Sequence, residues 1–322
     1  MENSTHTLTG LMLSRAGLNR CMPHAAPLLM MAANVPDLDI VWLLGGAETY
    51  FFHHRWITHA IAAAPVMALL PVFVLWLFVR KQLFFWRAYG LSLIAVASHL
   101  LLDWTNPYGI RLFLPFSTAW PKLEITGVFD IWISLVLFAA VLGPLLSGIV
   151  SSEIGAKSGG GRVSAILALT FLLLYDTGRY FLHERAIAVQ NGRLYEGQPP
   201  KKISAMPDFF NPLVWRGIVE TDTLFVVQNV HLVVDLDPTA GRIYYKPAII
   251  PAMEAARSTR PFQELLNFSP FTLWRASPSG ESDPTTKVEA LDLRFGDPQD
   301  PMFMSTAIVD SANRVHRAWF QY

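Results

Sequence analysis

The stretch "ITHAIAAAPVMALLPVFVLWLFV", residues 57–79, contains no Asp, Glu, Lys or Arg, and its reading decides what kind of protein this is. An α-helix rises about 1.5 Å per residue, so about 20 apolar residues cross the roughly 30 Å hydrocarbon core of a bilayer. The run is long enough to do so. Its prolines, Pro65 and Pro71, kink a membrane helix without disqualifying it, because neighbouring groups re-satisfy the freed backbone. The pattern therefore predicts a membrane span from Ile57 to Val79. Composition agrees: the 322 residues are 52% hydrophobic and 16% charged, where soluble domains carry about 25% charged residues.

Further apolar runs flank this one. A basic, aromatic joint, "RKQLFFWR" at 80–87, precedes a returning helix from Ala88 to Leu102, and two more spans are expected at 126–150 and 162–175, separated by "GAKSGGGR". Upstream, the shorter segments 8–18 and 25–35 suit a hairpin dipping into the bilayer, turning near Arg15 and Arg20. If the segments alternate, Arg15, Arg20, Arg80, Lys81, Arg87, Lys157 and Arg162 fall on one side, which the positive-inside rule makes cytoplasmic. Arg111 and Lys122 fall on the other side and weaken the bias. After about Arg185 the composition changes to prolines, charges and short β-branched runs. "TLFVVQNVHLVVDLD" (223–237), "GRIYYKPAII" (241–250), "KVEALDLRFGD" (287–297) and "STAIVDSANRVHRAWFQY" (305–322) read as strands, the last broken at "SAN". The expected fold is an α-helical polytopic membrane domain, residues 1–185, followed by a small β-rich soluble domain, residues 186–322, on the extracytoplasmic side.

Net charge is +0, so the composition gives no sign of the concentrated basic surface that neutralising phosphates requires, and no nucleic-acid partner is expected. The single cysteine, Cys21, rules out an internal disulfide and a cysteine-based zinc site; it reads as a small buried apolar residue. The N-terminal "MENSTHTLTGLMLSRAGLNR" has no basic region ahead of an apolar core and reads as part of the mature fold.

Ionisable groups near the ends of the apolar runs carry the chemistry. His99 and Asp103 are four apart and share a helix face. An ionisable pair facing lipid is expensive, so an interior site is the default reading. The helix holding them returns antiparallel to the one that begins at "HHRWITHA", which brings His54 and His59 to the same end. Asp37 and Asp39 of "NVPDLD" are expected in an extended turn after Pro36, both on one side, and the alternation in "STHTLTG" returns His6 to that face. His53 and His54 are adjacent and diverge, so only one faces the site. Imidazoles mixed with carboxylates suit one or two divalent ions, zinc, manganese or iron. Asp39 is a general-base or bridging candidate or else merely a helix or turn cap, Arg55 either pairs with a carboxylate or phosphate or snorkels to the interface, and Asp130 is a general-base or bridging candidate or else pairs with a buried cation. Asp176, Arg179, Tyr180 and His183 form a helical stripe that either lines the pocket or anchors the helix.

"PDLD" at 36–39, "HRWITHA" at 54–60 and "SHLLLDWTNPYGIRLFLPFS" at 98–117 resemble the YdjM-like family of bacterial membrane-bound metal-dependent hydrolases, over residues 1–130. The family pattern of an acidic pair, an HRGxTHS motif and HxxxD matches Asp37, Asp39, His54, Arg55, Thr58, His59, His99 and Asp103, and an N-terminal THxLxG matches His6. Trp56 replaces the usual glycine and Ala60 the usual serine. The HxxxD helix is also distantly similar to the zinc-dependent phospholipase C and S1/P1 nuclease superfamily. The resemblance implies a bacterial inner-membrane enzyme with metal ligands His6, Asp37, His54, His59, His99 and Asp103; Asp39, Arg55 and, on burial cost alone, Asp130 are the candidates for catalytic roles. The expected activity is metal-activated water cleaving an ester or phosphoester of a small-molecule or lipid substrate. The rival expectation is a non-enzyme: a proton or cation transporter, or a metal-clipped scaffold for a binding domain.

Overall fold

A computed structural model describes residues 1–80, 83–153, 161–279 and 285–321. Lys81, and Lys157 with most of its glycine-rich joint, lie outside the described residues. The chain divides into two compact units: Met1–Val41, His53–Leu182 and Phe209–Pro212 form the first, and Trp42–Phe52, His183–Asp208 and Leu213–Tyr322 the second. A helical N-terminal region is followed by antiparallel sheets, as the apolar runs and β-branched segments require.

In the first unit, α1 (Asn3–Ala16) and α2 (Ala25–Ala32) form the expected hairpin, with α1 starting well upstream of Leu8. A Cβ on Gly10 would lie 2.6 Å from the Leu29 carbonyl oxygen, so glycine permits the close approach of the two helices. A 3-10 helix, Val35–Gly45, follows α2 with a bend of 46°. Then come α3 (Ala47–His53), a 3-10 turn Ile57–His59, α4 (Ala64–Met67), α5 (Leu69–Val79), α6 (Phe85–Trp104), α7 (Ile131–Glu153) and α8 (Arg162–Asn191). The core joining α2, α5 and α6 includes Leu28, Leu29, Val72, Leu91, Ala95 and Val96. Among the described residues, three helices, Phe85–Trp104, Ile131–Ile149 and Arg162–Asn191, are long and apolar enough to cross a membrane, or up to five spans if each bent pair counts as one.

Residues 57–79 are not one rod. The helices either side of the break meet at 91°, because Ala60 is extended (ψ 141°) and the Ile61 N–H donates to Leu112 O at 3.0 Å instead of to its own helix. Pro65 then sits in the first turn of α4, where its missing N–H would have had no helical partner. The span at 126–150 begins later, at Ile131, because Asp130 accepts from the backbone N–H groups of Trp132 (3.1 Å) and Ile133 (3.2 Å) and so caps α7. Cys21 is exposed, not buried.

In the second unit, β1 (Lys202–Pro207), β2 (Val214–Glu220), β3 (Leu224–His231) and β4 (Arg242–Tyr245) form one antiparallel sheet in that order. After α9 (Pro251–Arg257) and α10 (Arg260–Phe268) come β5 (Thr272–Pro278), β6 (Thr286–Asp292), the short pair β7 (Gly296–Asp297) and β8 (Asp300–Pro301), β9 (Met304–Val309) and β10 (Val315–Gln321). The second sheet has the order β10-β9-β6-β5. Met206, Ile218 and Phe225 of the first sheet share a core with Leu273 and Leu291 of the second. Phe51 of α3 stacks on Phe320 at 3.9 Å, so α3 is built into this unit although it lies far from it in sequence.

Candidate metal centre

Four side chains converge in the first unit. Asp37 comes from the 3-10 helix after α2, His59 from the turn before α4, and His99 and Asp103 from the last turns of α6. One ligand atom from each lies within 4.8 Å of all the others. His59, His99 and Asp103 side chains are fully buried, whereas that of Asp37 is 12% exposed. Asp37 and Asp39 reach the site from a 3-10 helix, not from the expected extended turn. At three residues per turn, positions two apart diverge, and the two carboxylates address opposite sides of the His59 ring.

Hydrogen bonds fix which atoms face inward. His99 Nδ1 lies 2.7 Å from Ala33 O; a carbonyl only accepts, which assigns the ring proton to Nδ1 and leaves the Nε2 lone pair pointing at the centre. Thr58 Oγ1 donates to Asp39 Oδ2 at 3.3 Å and lies 3.0 Å from His59 Nδ1. The hydroxyl hydrogen being used, its oxygen accepts from Nδ1–H, and His59 Nε2 is likewise left bare. The two Nε2 atoms stand 3.2 Å apart. Asp103 Oδ2 lies 3.3 Å from the first and 3.5 Å from the second, and Asp37 Oδ1 3.4 Å and 3.7 Å. Asp103 Oδ2 has no hydrogen-bond donor among the described residues.

Four acceptors thus face one another with no proton between them, an arrangement that repels itself unless a cation sits among them. The edges fit one: with bonds of roughly 2.0–2.1 Å to nitrogen and oxygen, a tetrahedral site has ligand–ligand distances of about 3.3–3.4 Å. The five edges that involve an imidazole nitrogen, 3.2–3.7 Å, span that value, and all four atoms lie within 4.8 Å of one another.

The surrounding shell holds these ligands. Asp39 is buried; it meets His54 Nδ1 at 3.1 Å and accepts from the Arg55 backbone N–H at 2.7 Å. Arg55 is in the left-handed region, φ 55°, a conformation costing a non-glycine residue about 1 kcal/mol or more, and Asp39 pins it there. Its guanidinium donates to Asp103 Oδ1 (3.2 Å), Asn106 Oδ1 (3.2 Å) and Gly109 O (3.2 Å) and is 97% buried, so it neither snorkels nor faces an open pocket. Asp103 Oδ1 also meets the amino group of Met1 and lies 3.4 Å from His6 Nε2. His6 is fully buried, stacks on His99 with centroids 3.8 Å apart, and neither of its ring nitrogens has a hydrogen-bond partner among the described residues.

His6 and His54 therefore border the four-atom set without belonging to it. Asp130 belongs to a different group: besides capping α7 it accepts from Tyr175 Oη at 3.1 Å. On the same helix as Tyr175, Arg179 donates to Ile125 O and Pro212 O. Asn106 is the residue that sequence reasoning missed. Its carboxamide oxygen accepts from Arg55 and from the Tyr108 and Gly109 backbone N–H groups, and Gly109 at φ 72° closes the turn where a Cβ would meet Pro121 O at 2.7 Å. The Asn-Pro pair ahead of Gly109 was the available signal.

Comparison with known proteins places this geometry. A relative from Bacillus subtilis (strain 168), described as uncharacterized protein YfhP, is 30% identical over 306 residues, covering 92% of this chain and 87% of that protein. No solved structure matches the chain. Residues 1–186, which contain all four converging ligands, match the family described as YdjM inner membrane protein, and the chain belongs to that family.

Proposed function

We propose that the chain is a multi-pass inner-membrane hydrolase that holds a divalent cation, zinc by donor set and edge length, on Asp37, His59, His99 and Asp103, and cleaves an ester or phosphoester bond. The observation that carries this reading is the convergence of two bare imidazole nitrogens and two carboxylate oxygens with no donor among them. When bound, such an ion would supply Lewis acidity; because four protein donors fill a tetrahedral shell, it would lower the pKa of a water to about 7 and polarise the scissile oxygen by taking on a fifth ligand or by releasing Asp37, the one partly exposed donor. The chain's own residues orient and support. Ala33 O and Thr58 hold the rings, Asp39 fixes the turn from His54 to His59, and Arg55 neutralises the outer oxygen of Asp103. Arg55 and Asp39 act as positioning residues, since both carboxylate oxygens of Asp39 and both terminal nitrogens of Arg55 already hold hydrogen bonds.

A transport path would continue in polar groups along α6 toward Arg87. The buried residues there are Ala88, Leu91, Ser92, Ala95 and Val96, and Ser92 donates to Ala68 O at 2.7 Å, which supports a site closed on that side. Two basic residues counted on the cytoplasmic side bind the connection that follows α1: Arg162 donates to Ala16 O and Arg87 to Cys21 O. With Arg87 and Asp103 sixteen positions apart on one helix, about 24 Å separate the basic end from the centre. That supports a cytoplasmic basic end and an extracytoplasmic site; the C-terminal unit is proposed to be extracytoplasmic on the charge bias of the sequence alone.

The test is elemental analysis of detergent-purified protein beside a His99→Ala, Asp37→Asn variant of matched elution, followed by turnover of phosphoester and carboxylic ester substrates. One zinc per wild-type chain, none in the variant and zinc-dependent turnover are expected. A wild type that holds no metal after incubation with zinc would refute the reading.

A further inference from the structure

Resting on the hydrolase reading, we infer that the substrate is a bilayer amphiphile of the phospholipid class, which reaches the centre sideways from the membrane where two helices are broken. Three of the four converging side chains are fully buried and only Asp37 is partly open, so whatever enters passes Asp37. Asp37 lies just after the 46° break between Ala25–Ala32 and Val35–Gly45, and His59 just before the 91° break that leads into Ala64–Val79. Interrupted backbone at membrane depth survives only where protein buries it or it lines a cavity, and here both interruptions deliver a ligand.

The residues beside those ligands are not what a water-facing mouth would carry. Next to Asp37, Leu38, Ile40 and Val41 are 53–57% exposed, and next to His59, Trp56, Ile57 and Ile61 are 38–54% exposed. Large exposed apolar surface marks a contact with lipid, ligand or protein. Its continuity in sequence with Asp37 and His59 puts apolar contact and polar chemistry within a residue or two of each other. That pairing matches a molecule with acyl chains and an oxygen-rich ester head, in which both bond types of the proposed reaction occur. The one partly open member of the site is thus bordered by side chains of the kind that face the bilayer, which favours entry from the membrane over entry from water.

The test uses the full chain, zinc-loaded, in phosphatidylcholine nanodiscs containing a phospholipid with a photoreactive diazirine on its head group. Labelling is expected on peptides 36–41 and 56–61, with a several-fold loss after zinc is chelated. Labelling of the exposed face of α8, at Val163, Leu167 and Leu174, should be indifferent to zinc. Labelling of the two peptides that ignores zinc, or their protection by a second copy of the chain, would overturn the inference. Turnover of the phospholipid is measured in parallel with that of a short-chain, water-soluble analogue. Turnover of the soluble analogue with zinc-indifferent labelling sinks the lipid inference and leaves the hydrolase standing. Zinc-dependent labelling with no turnover of either compound sinks the hydrolase and leaves a metal-dependent lipid site.

Discussion

At 3.2 Å, the Nε2 atoms of His59 and His99 would repel as two bare lone pairs, and the proposed shared cation would relieve that repulsion. Replacing His99 with alanine removes one of four donors and strands the Ala33 carbonyl; bound metal is expected to fall below detection by elemental analysis. Asp39→Asn is subtler. It keeps the shape but weakens the acceptor that fixes the Arg55 N–H, Thr58 and His54, and losses of this kind cost about 10–100-fold in metal affinity. Competition against a chromogenic chelator measures it, and an unchanged affinity would show that Asp39 does not support the site. His59, His99 and Asp103 were readable in the sequence because helix spacing and antiparallel return bring them to one end; Asp37 was singled out from an expected extended turn, and it reaches the same place from a 3-10 helix instead. The role of Arg55 was not, since a snorkelling arginine and one buried against Asp103 look alike until the Asn106–Gly109 turn is seen to fold around it.

Elements show where pattern reading reaches its limit. Hydropathy located the apolar mass of 57–79 but could not locate its bend, because the bend depends on Ile61 pairing with Leu112, a partner distant in sequence. The hairpin of α1 and α2 was visible, yet its closeness rests on one residue: Gly10→Ala places a methyl 2.6 Å from Leu29 O. Forcing the helices apart should cost about 1–3 kcal/mol, seen as a lower midpoint in thermal unfolding of the detergent-solubilised protein; an unchanged midpoint would mean that α1 shifts freely. In the second unit the strands at 223–237 and 305–322 were expected, but the first ends at His231, and β1, β2, β5 and both helices went unread. α10 buries Phe262, Leu265 and Phe268 in a segment too short for periodicity to stand out. At the end of β6, buried Asp292 grips Arg294 through Nε and Nη2 at 3.1 and 2.7 Å. Asp292→Ala leaves a buried guanidinium without its carboxylate and should destabilise this unit by about 3–5 kcal/mol, read from denaturant midpoints.

For the whole molecule, the proposed cation, held by residues from three separated stretches, would act as a clasp on the helical unit. Binding that favours the folded form stabilises by RT ln(1 + [L]/Kd), about 2.7 kcal/mol at a hundredfold excess over Kd, so chelation should lower the unfolding midpoint of the wild type and leave that of the His99→Ala variant unchanged. Orientation can be tested with what the sequence already contains. Cys21 is the only cysteine; it is exposed, and its carbonyl accepts from Arg87 at the basic end of the unit. If that end is cytoplasmic, a membrane-impermeant maleimide should leave Cys21 unmodified in intact spheroplasts and modify it in inverted vesicles. A Cys21→Ser, Ser311→Cys variant carries the thiol on the exposed turn between β9 and β10 instead, and it should react in spheroplasts and not in inverted vesicles. Labelling of both proteins from the same side would place the basic end and the β-rich unit in one compartment, and the proposed topology would fail even if the metal centre stood.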